Sequence, residues 1–230
     1  MDQQQQRRGG ARRGAGRKKS VRQHDPPHRA RREHASAQPV HVVLRTQDCV
    51  PRLRGGRVFQ ATHQVLGRYV GRDEFRIVHA SIQANHFHLL VEALDRRALS
   101  TGMQGLTINL ARGINGAFGS CGKIFAHRYH ETPITTPRQA RNALAYVLNN
   151  WRKHREDLAS PRAMAAKLDP YASGLAFDGW REYGVGDVPR FAIPPGYDPL
   201  PVSRPTTSLL CSEWRMFGAI DLFETPGPLR

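Results

Sequence analysis

Between Ser81 and Glu92 the chain reads Ser-Ile-Gln-Ala-Asn-His-Phe-His-Leu-Leu-Val-Glu, an apolar, partly β-branched run carrying two histidines, His86 and His88. It is too short for a stable amphipathic helix, and it predicts a β-strand. Side chains alternate between the two faces of a strand, so His86 and His88 project from one face and Phe87 from the other. The fold must therefore bury one face of this strand and present two nearby imidazoles on the other. Parallel imidazoles on a rigid strand make half of a divalent-metal site. A solvated or hydrogen-bonded pair has the same spacing, so the pair alone leaves both readings open.

The flanking periodicity says what this strand packs with. Val40–Arg45 predicts a first strand, and Val58, Phe59, Val65, Leu66, Tyr69 and Val70 fall at helical spacing within residues 56–72. A second strand is predicted over Phe75–Gln83, and the turn-prone Asn85 joins it to the His86–Glu92 strand as a hairpin. Leu99, Met103, Leu106, Leu110 and Ile114 mark one face of a helix over residues 97–117. Gly116, Gly119 and Gly122 then break the chain before a strand-like piece, Ile124–Arg128. Thr136-Pro137-Arg138-Gln139 is a capping box that opens a last helix, running through Ala140, Ala143, Leu144 and Val147 to near Arg155. The order β-α-β-β-α-β-α predicts an α+β domain over residues 39–155, a central antiparallel sheet backed by helices. Roughly 115 residues suffice for one core.

Residues 1–38 carry Gln3–Gln6 and then Arg-Gly and Arg-Lys clusters, and they hold too little apolar surface to offset chain entropy. They are expected to form a disordered basic arm. Residues 156–230 are expected to form an irregular Pro/Gly-rich C-terminal extension ending in a short helix near Leu209–Phe217. The formal net charge is +16, distributed as +8 over residues 1–38, +11 over 39–155 and −3 over 156–230. A basic arm on a basic core is the footprint of a polyanion binder. No apolar run of roughly 18 residues and no apolar face in the arm favours a membrane, so nucleic acid is the expected partner. The N-terminus shows no apolar core of a signal peptide, although an organellar transit peptide is also Arg-rich. Cys49, Cys121 and Cys211 are odd in number and widely spaced, which fits a reducing cytosol better than a disulfide framework or a thiolate zinc site.

Within the last helix, Tyr146 and Asn150 are four residues apart and share a face. If that face points at the histidine strand, one site holds two imidazoles, an amide oxygen and a phenol. A metal there would polarise a scissile phosphate. The tyrosine oxygen would attack it, leaving a 5′-phosphotyrosyl link and a free 3′-hydroxyl. Such an intermediate conserves the phosphoester for rejoining, which a simple hydrolase has no use for. The plainer readings are a core tyrosine with its hydroxyl at the rim, and Asn149 and Asn150 as a helix C-terminal signal.

Four segments together, His41-Val42-Val43-Leu44-Arg45, Asn85-His86-Phe87-His88-Leu89, Phe125-Ala126-His127-Arg128-Tyr129 and Leu144-Ala145-Tyr146-Val147-Leu148-Asn149-Asn150, carry a family resemblance. In order and separation they resemble the single-tyrosine HUH transposases of bacterial insertion sequences, and more closely the REP-associated tyrosine transposases, over roughly Val40 to His154. The resemblance implies a ferredoxin-like HUH domain over residues 39–155. It implies His86 and His88 as metal ligands, Asn150 as the third ligand, Tyr146 as the catalytic nucleophile, and Mg²⁺ or Mn²⁺ as the cofactor. The implied activity is metal-dependent cleavage and rejoining of single-stranded or hairpin DNA in DNA transposition and recombination, in the bacterial cytoplasm.

Two features depart from the family pattern. Trp151 follows Asn150 where REP-associated relatives usually carry Pro and a basic turn, and the acidic extension after residue 155 is absent from the minimal enzymes. The extension would displace the exchange of tyrosine helices between subunits, which points to a monomer over a homodimer. Arg45, Arg138, Arg141, Arg152 and Lys153 are expected to supply non-specific phosphate contacts, and Arg128 a phosphate clamp. Tyr129 is a rival nucleophile, while His63 and His79 read as structural or exposed. The alternative function is a catalytically inactive or domesticated DNA-binding protein on the same fold, although all four site residues are intact. A replication initiator or relaxase nickase would use similar chemistry, but such proteins usually carry longer domains.

Overall fold

The hairpin around Asn85 pairs an edge strand of the sheet with one of its two central strands. In a computed structural model describing residues 38–183, 189–191, 193 and 197–227, the elements are β1 (Val40–Arg45), α1 (Gly56–Gly67), β2 (Phe75–Ile82), β3 (His86–Ala93), α2 (Arg96–Phe118), β4 (His130–Pro133) and α3 (Pro137–Lys153). The basic arm, residues 1–38, lies outside the described residues apart from Gln38. The strand order is β2-β3-β1-β4 with every pair antiparallel. The β1-α1-β2 crossover leaves β3 between its two strands, which is the split βαβ arrangement of a ferredoxin-like α+β fold.

Alternation assigns the two faces of the sheet. Val40, Val42, Leu44, Phe87, Leu89 and Val91 bury one face beneath α1 and α2. The five apolar residues predicted on α2, from Leu99 to Ile114, are all buried there. The packing is close: a Cβ on Gly102 would lie 2.3 Å from the Phe75 ring, so only glycine fits at that crossing. The opposite face, with Leu90 and the residues of β2 displaced by a bulge at Val78, meets α3.

α3 starts as its sequence predicts. Thr136 caps it, its hydroxyl accepting from Gln139 N, and Pro137 occupies the first turn. The box closes one residue early, because Gln139 Oε1 accepts from Thr135 N instead of the cap residue's own N–H. The helix is buried at nine positions, from Ala140 to Trp151, far more than one amphipathic stripe. The reason is that the C-terminal extension covers its outer side. Phe177, Trp180, Leu210, Trp214, Ile220 and Leu222 complete a second core around α3.

The extension is more ordered than its composition suggested. It contains α4 (Pro161–Ala165), α5 (Ser208–Cys211) and three 3-10 turns, the last at Glu213–Phe217, so the predicted terminal helix is split into two pieces. It also covers the outer edge of β2: Ser173 N donates to Ala80 O, Ser203 N donates to Ile77 O, and Ile82 N donates to Tyr171 O. Unpaired edges of this kind invite pairing with other chains unless covered. Buried Glu92 on β3 accepts from the backbone and hydroxyl of both Thr206 and Thr207, and Arg54 forms a two-point ion pair with Asp169.

The predicted strand Ile124–Arg128 is corrected. Ile124 and Phe125 are buried in the first core, and Phe125 makes only one bridge, to Thr46. The fourth strand is His130–Pro133, on the free edge of β1. Its sequence has little strand propensity, and backbone pairing to an available edge decides the matter. Pro133 is tolerated because β4 is an edge strand.

Candidate active site

Val43 pairs with His88 and Arg45 with His86 across β1 and β3. Opposed residues share a face, so His86, His88, Arg45 and the diagonal neighbour His41 stand together on the side of the sheet that meets α3. His86 Nε2 and His88 Nε2 are 2.9 Å apart. The other ring nitrogens are also engaged: His86 Nδ1 lies 2.8 Å from Asn85 Oδ1, and His88 Nδ1 lies 3.0 Å from His41 Nε2.

Helical periodicity brings α3 onto this cluster. The Tyr146 ring stands edge-on to His88 and His41, with centroids 5.1 and 5.8 Å away. Two turns on, His154 at the C-cap of α3 stands edge-on to His86 at 5.7 Å. Asn150 lies four residues from each, on the same stripe. Its side chain is fully buried, and neither Oδ1 nor Nδ2 has a hydrogen-bond partner among the described residues. A buried amide left unpaired costs about 1–3 kcal/mol for each group. Lys153 Nζ sits 4.8 Å from the Tyr146 ring centroid.

All three histidines of the cluster are held neutral. Burial lowers His86 to about 4, helped by His154 and Arg45. Burial likewise lowers His41 to about 4, with His130 and His86 adding to it, and takes His88 well below 6.5, reinforced by His41 and His86. Neutral rings keep lone pairs available as ligands at neutral pH.

A family model described as "Transposase IS200 like" matches residues 34–150, just over half of the chain and ending at Asn150. The chain belongs to the IS200-like transposase family. Membership makes this transposase an HUH-type endonuclease, and it implies DNA cleavage and transposition with a divalent metal. Among solved structures the transposase is similar to "Structure of the REP associates tyrosine transposase bound to a REP hairpin", at 15% identity over 55% of this chain and 73% of that one, with a TM-score of 0.43. It is also similar to a bacterial tRNA(His) guanylyltransferase-like protein in complex with ATP, at 9% identity over 59% and 69% of the two chains, with a TM-score of 0.39. No curated protein matches the chain.

The residues of the transposase fit a divalent ion. Two ligands at right angles and about 2.1 Å from one ion stand about 3.0 Å apart, which is close to the 2.9 Å between the two Nε2 atoms. Among the described residues no group of three or more His, Cys, Asp or Glu side chains is arranged to hold a metal. The buried Asn150 amide, without a hydrogen-bond partner among the described residues, is a side chain of a different kind on the same stripe that would be able to contribute an oxygen.

The predicted phosphate contacts divide into two groups. Arg45, Arg128, Arg138 and Lys153 are exposed. Arg141 and Arg152 are instead committed within the chain. Arg141 forms a two-point ion pair with Glu224 and donates to Ala219 O. Arg152, with a side chain 9% exposed, donates to Leu222 O, Asp157 and Lys167 O. Both fasten the extension to α3, and an arginine so paired has few donors left for a phosphate. Tyr129 packs against the core on the α1/α2 side of the sheet, away from the histidine pair. His79 is buried against Ser173 Oγ at 3.1 Å, and His63 pairs with Asp198.

Three contributors escaped the sequence reading. His41 was visible only as a strand residue, Asn85 only as a turn former, and His154 only as the end of a helix. Parity with Arg45 marks His41 as sharing its face of β1, but its nearness to His88 depends on strand register. Among the described residues no helix is long and apolar enough to cross a membrane.

Proposed function

We propose that this transposase cuts and rejoins single-stranded DNA, such as the single-stranded flank of a hairpin, through a 5′-phosphotyrosine intermediate on Tyr146. What supports the reading is one juxtaposition: the Tyr146 ring lies against His88, and the buried, unpartnered Asn150 amide follows one turn later on the same stripe. His86, His88 and Asn150 would hold Mg²⁺ or Mn²⁺, and a mixed nitrogen and oxygen set suits Mn²⁺ better. The bound ion supplies Lewis acidity to the scissile phosphate.

The Tyr146 hydroxyl gives up its proton and its oxygen attacks phosphorus. The P–O3′ bond breaks, and the departing oxygen takes up a proton to become a free 3′-hydroxyl. Attack by a 3′-hydroxyl on the phosphotyrosine restores the diester and releases Tyr146. The Lys153 ammonium would favour the charge that develops on the phenol oxygen. Arg45, Arg128, Arg138 and Lys153 would contact phosphates near the site. On the other side of the sheet, Arg57, Arg68 and Arg112 line an open groove of about 540 Å³ between α1 and α2. Neither helix contains an acidic residue, so this groove would add non-specific backbone contacts.

In this reading residues 1–38 serve as an electrostatic arm, 39–155 as the catalytic domain and 156–230 as a clamp. The clamp grips α3 through Arg141, Asn149 and Arg152. A helix gripped in this way serves its own sheet, which favours a monomer, and the bacterial cytoplasm is the compartment that membership of the family supports. The test is incubation of the full-length chain with single-stranded repeat ends and Mn²⁺. A covalent DNA adduct is expected, lost in Tyr146→Phe while hairpin affinity stays within a few-fold. An adduct retained in Tyr146→Phe would overturn the assignment, and a wild-type protein that binds DNA without any adduct would be a DNA-binding relative that has lost the chemistry.

A further inference from the structure

We infer that His41 is a positioning residue, which holds His88 in the tautomer that leaves Nε2 free to bind the ion. The inference rests on the metal reading of the His86/His88 pair. It follows from counting protons across three hydrogen bonds. Asn85 Oδ1 can only accept, so the 2.8 Å contact places the His86 proton on Nδ1 and leaves a lone pair on His86 Nε2. That lone pair faces His88 Nε2 at 2.9 Å.

Two proton arrangements satisfy the chain. Without an ion, His88 Nε2–H donates to His86 Nε2, and His88 Nδ1 accepts from His41 Nε2–H across their 3.0 Å contact. With an ion between the two Nε2 atoms, His88 must carry its proton on Nδ1. That N–H is buried with the ring and needs an acceptor, and His41 Nε2 supplies it once the proton of His41 sits on Nδ1. A neutral imidazole can take either role because it has one N–H and one lone pair. Metal-ligating histidines are ordinarily oriented by such an acceptor on the second nitrogen. The His41 and His88 rings lie with centroids 5.1 Å apart and planes 22° from parallel, so an N–H in the plane of one ring can be directed at the nitrogen of the other. Asn85 performs the same service for His86 without changing role.

The test uses the full-length chain with His41→Phe, which keeps a ring beside His88 and Tyr146 but removes the acceptor, and His41→Gln, whose amide oxygen can accept. Binding is read from free Mn²⁺ by electron paramagnetic resonance. His41→Phe should weaken binding by roughly ten- to hundred-fold, and His41→Gln should bind within a few-fold of wild type. Long-range ¹H–¹⁵N spectra of the wild type should show the His88 proton moving from Nε2 to Nδ1 on saturation with Mg²⁺. This second reading does not depend on any variant folding. Wild-type affinity in His41→Phe, or a His88 proton that stays on Nε2 in the saturated protein, would overturn the role of His41 and leave the Tyr146 chemistry standing. A wild type that fails to bind Mn²⁺ at all would remove both the metal reading and this inference.

Discussion

Metal binding at this site should hardly respond to mild acid. An imidazole binds a cation only when unprotonated, so affinity falls once the pH drops below its pKa. For two water-exposed histidines with pKa about 6.5, going from about pH 7.5 to about pH 5.5 would weaken binding roughly 100-fold, about tenfold for each ring. In the folded transposase, burial lowers His86 to about 4 and takes His88 well below 6.5. At about pH 5.5 the His86 ring is then roughly 97% neutral, and the expected weakening across the pair is less than about twofold. Asn150 does not titrate, so it adds no pH dependence. Calorimetric titration of Mn²⁺ into the full-length chain at three pH values across this range measures the effect directly. A hundred-fold loss at the acid end would refute the reasoning, because the rings would then be titrating as they do in water.

The same physics acts on stability at His79, where burial lowers the pKa to about 3. The unfolded imidazole takes up a proton below about pH 6.5 and the folded one cannot until about pH 3, so folding stability falls as the pH drops through that window. At about pH 5 the loss is about 2 kcal/mol, and in urea unfolding His79→Leu should show a fall between pH 7 and 5 smaller by about that amount. Arg141→Ala leaves the half-buried Glu224 carboxylate without its partner; chemical unfolding should register a loss of about 1–3 kcal/mol. Deleting residues 1–38 removes 11 Lys/Arg. It should weaken DNA binding and flatten its salt dependence, while cleavage at saturating DNA persists; an unchanged salt slope would exclude the arm from the contact.

Local pattern was enough for much of this molecule. β1, β2 and β3 lie where alternation predicts them, because the faces of a strand repeat every two residues whatever it pairs with. The parity of His86 and His88, the shared face of Tyr146 and Asn150, and the capped start of α3 are equally local. Contacts between distant segments were a different matter. β4 went unrecognised because His130–Pro133 is a strand only by virtue of the free edge of β1, while the more strand-like Ile124-Phe125 is drawn into the core. Arg141 and Arg152 looked like free cations because Glu224, Ala219 and Leu222 are some 70 or more residues away along the chain. The contact between His41 and His88, 47 residues apart in sequence, depends on the register of β1 against β3. The sequence by itself determined that His86 and His88 share one face of β3 and that Tyr146 and Asn150 share one face of α3. Only the tertiary structure decided which of them meet, because strand register and the docking of the extension are set by packing across the whole chain.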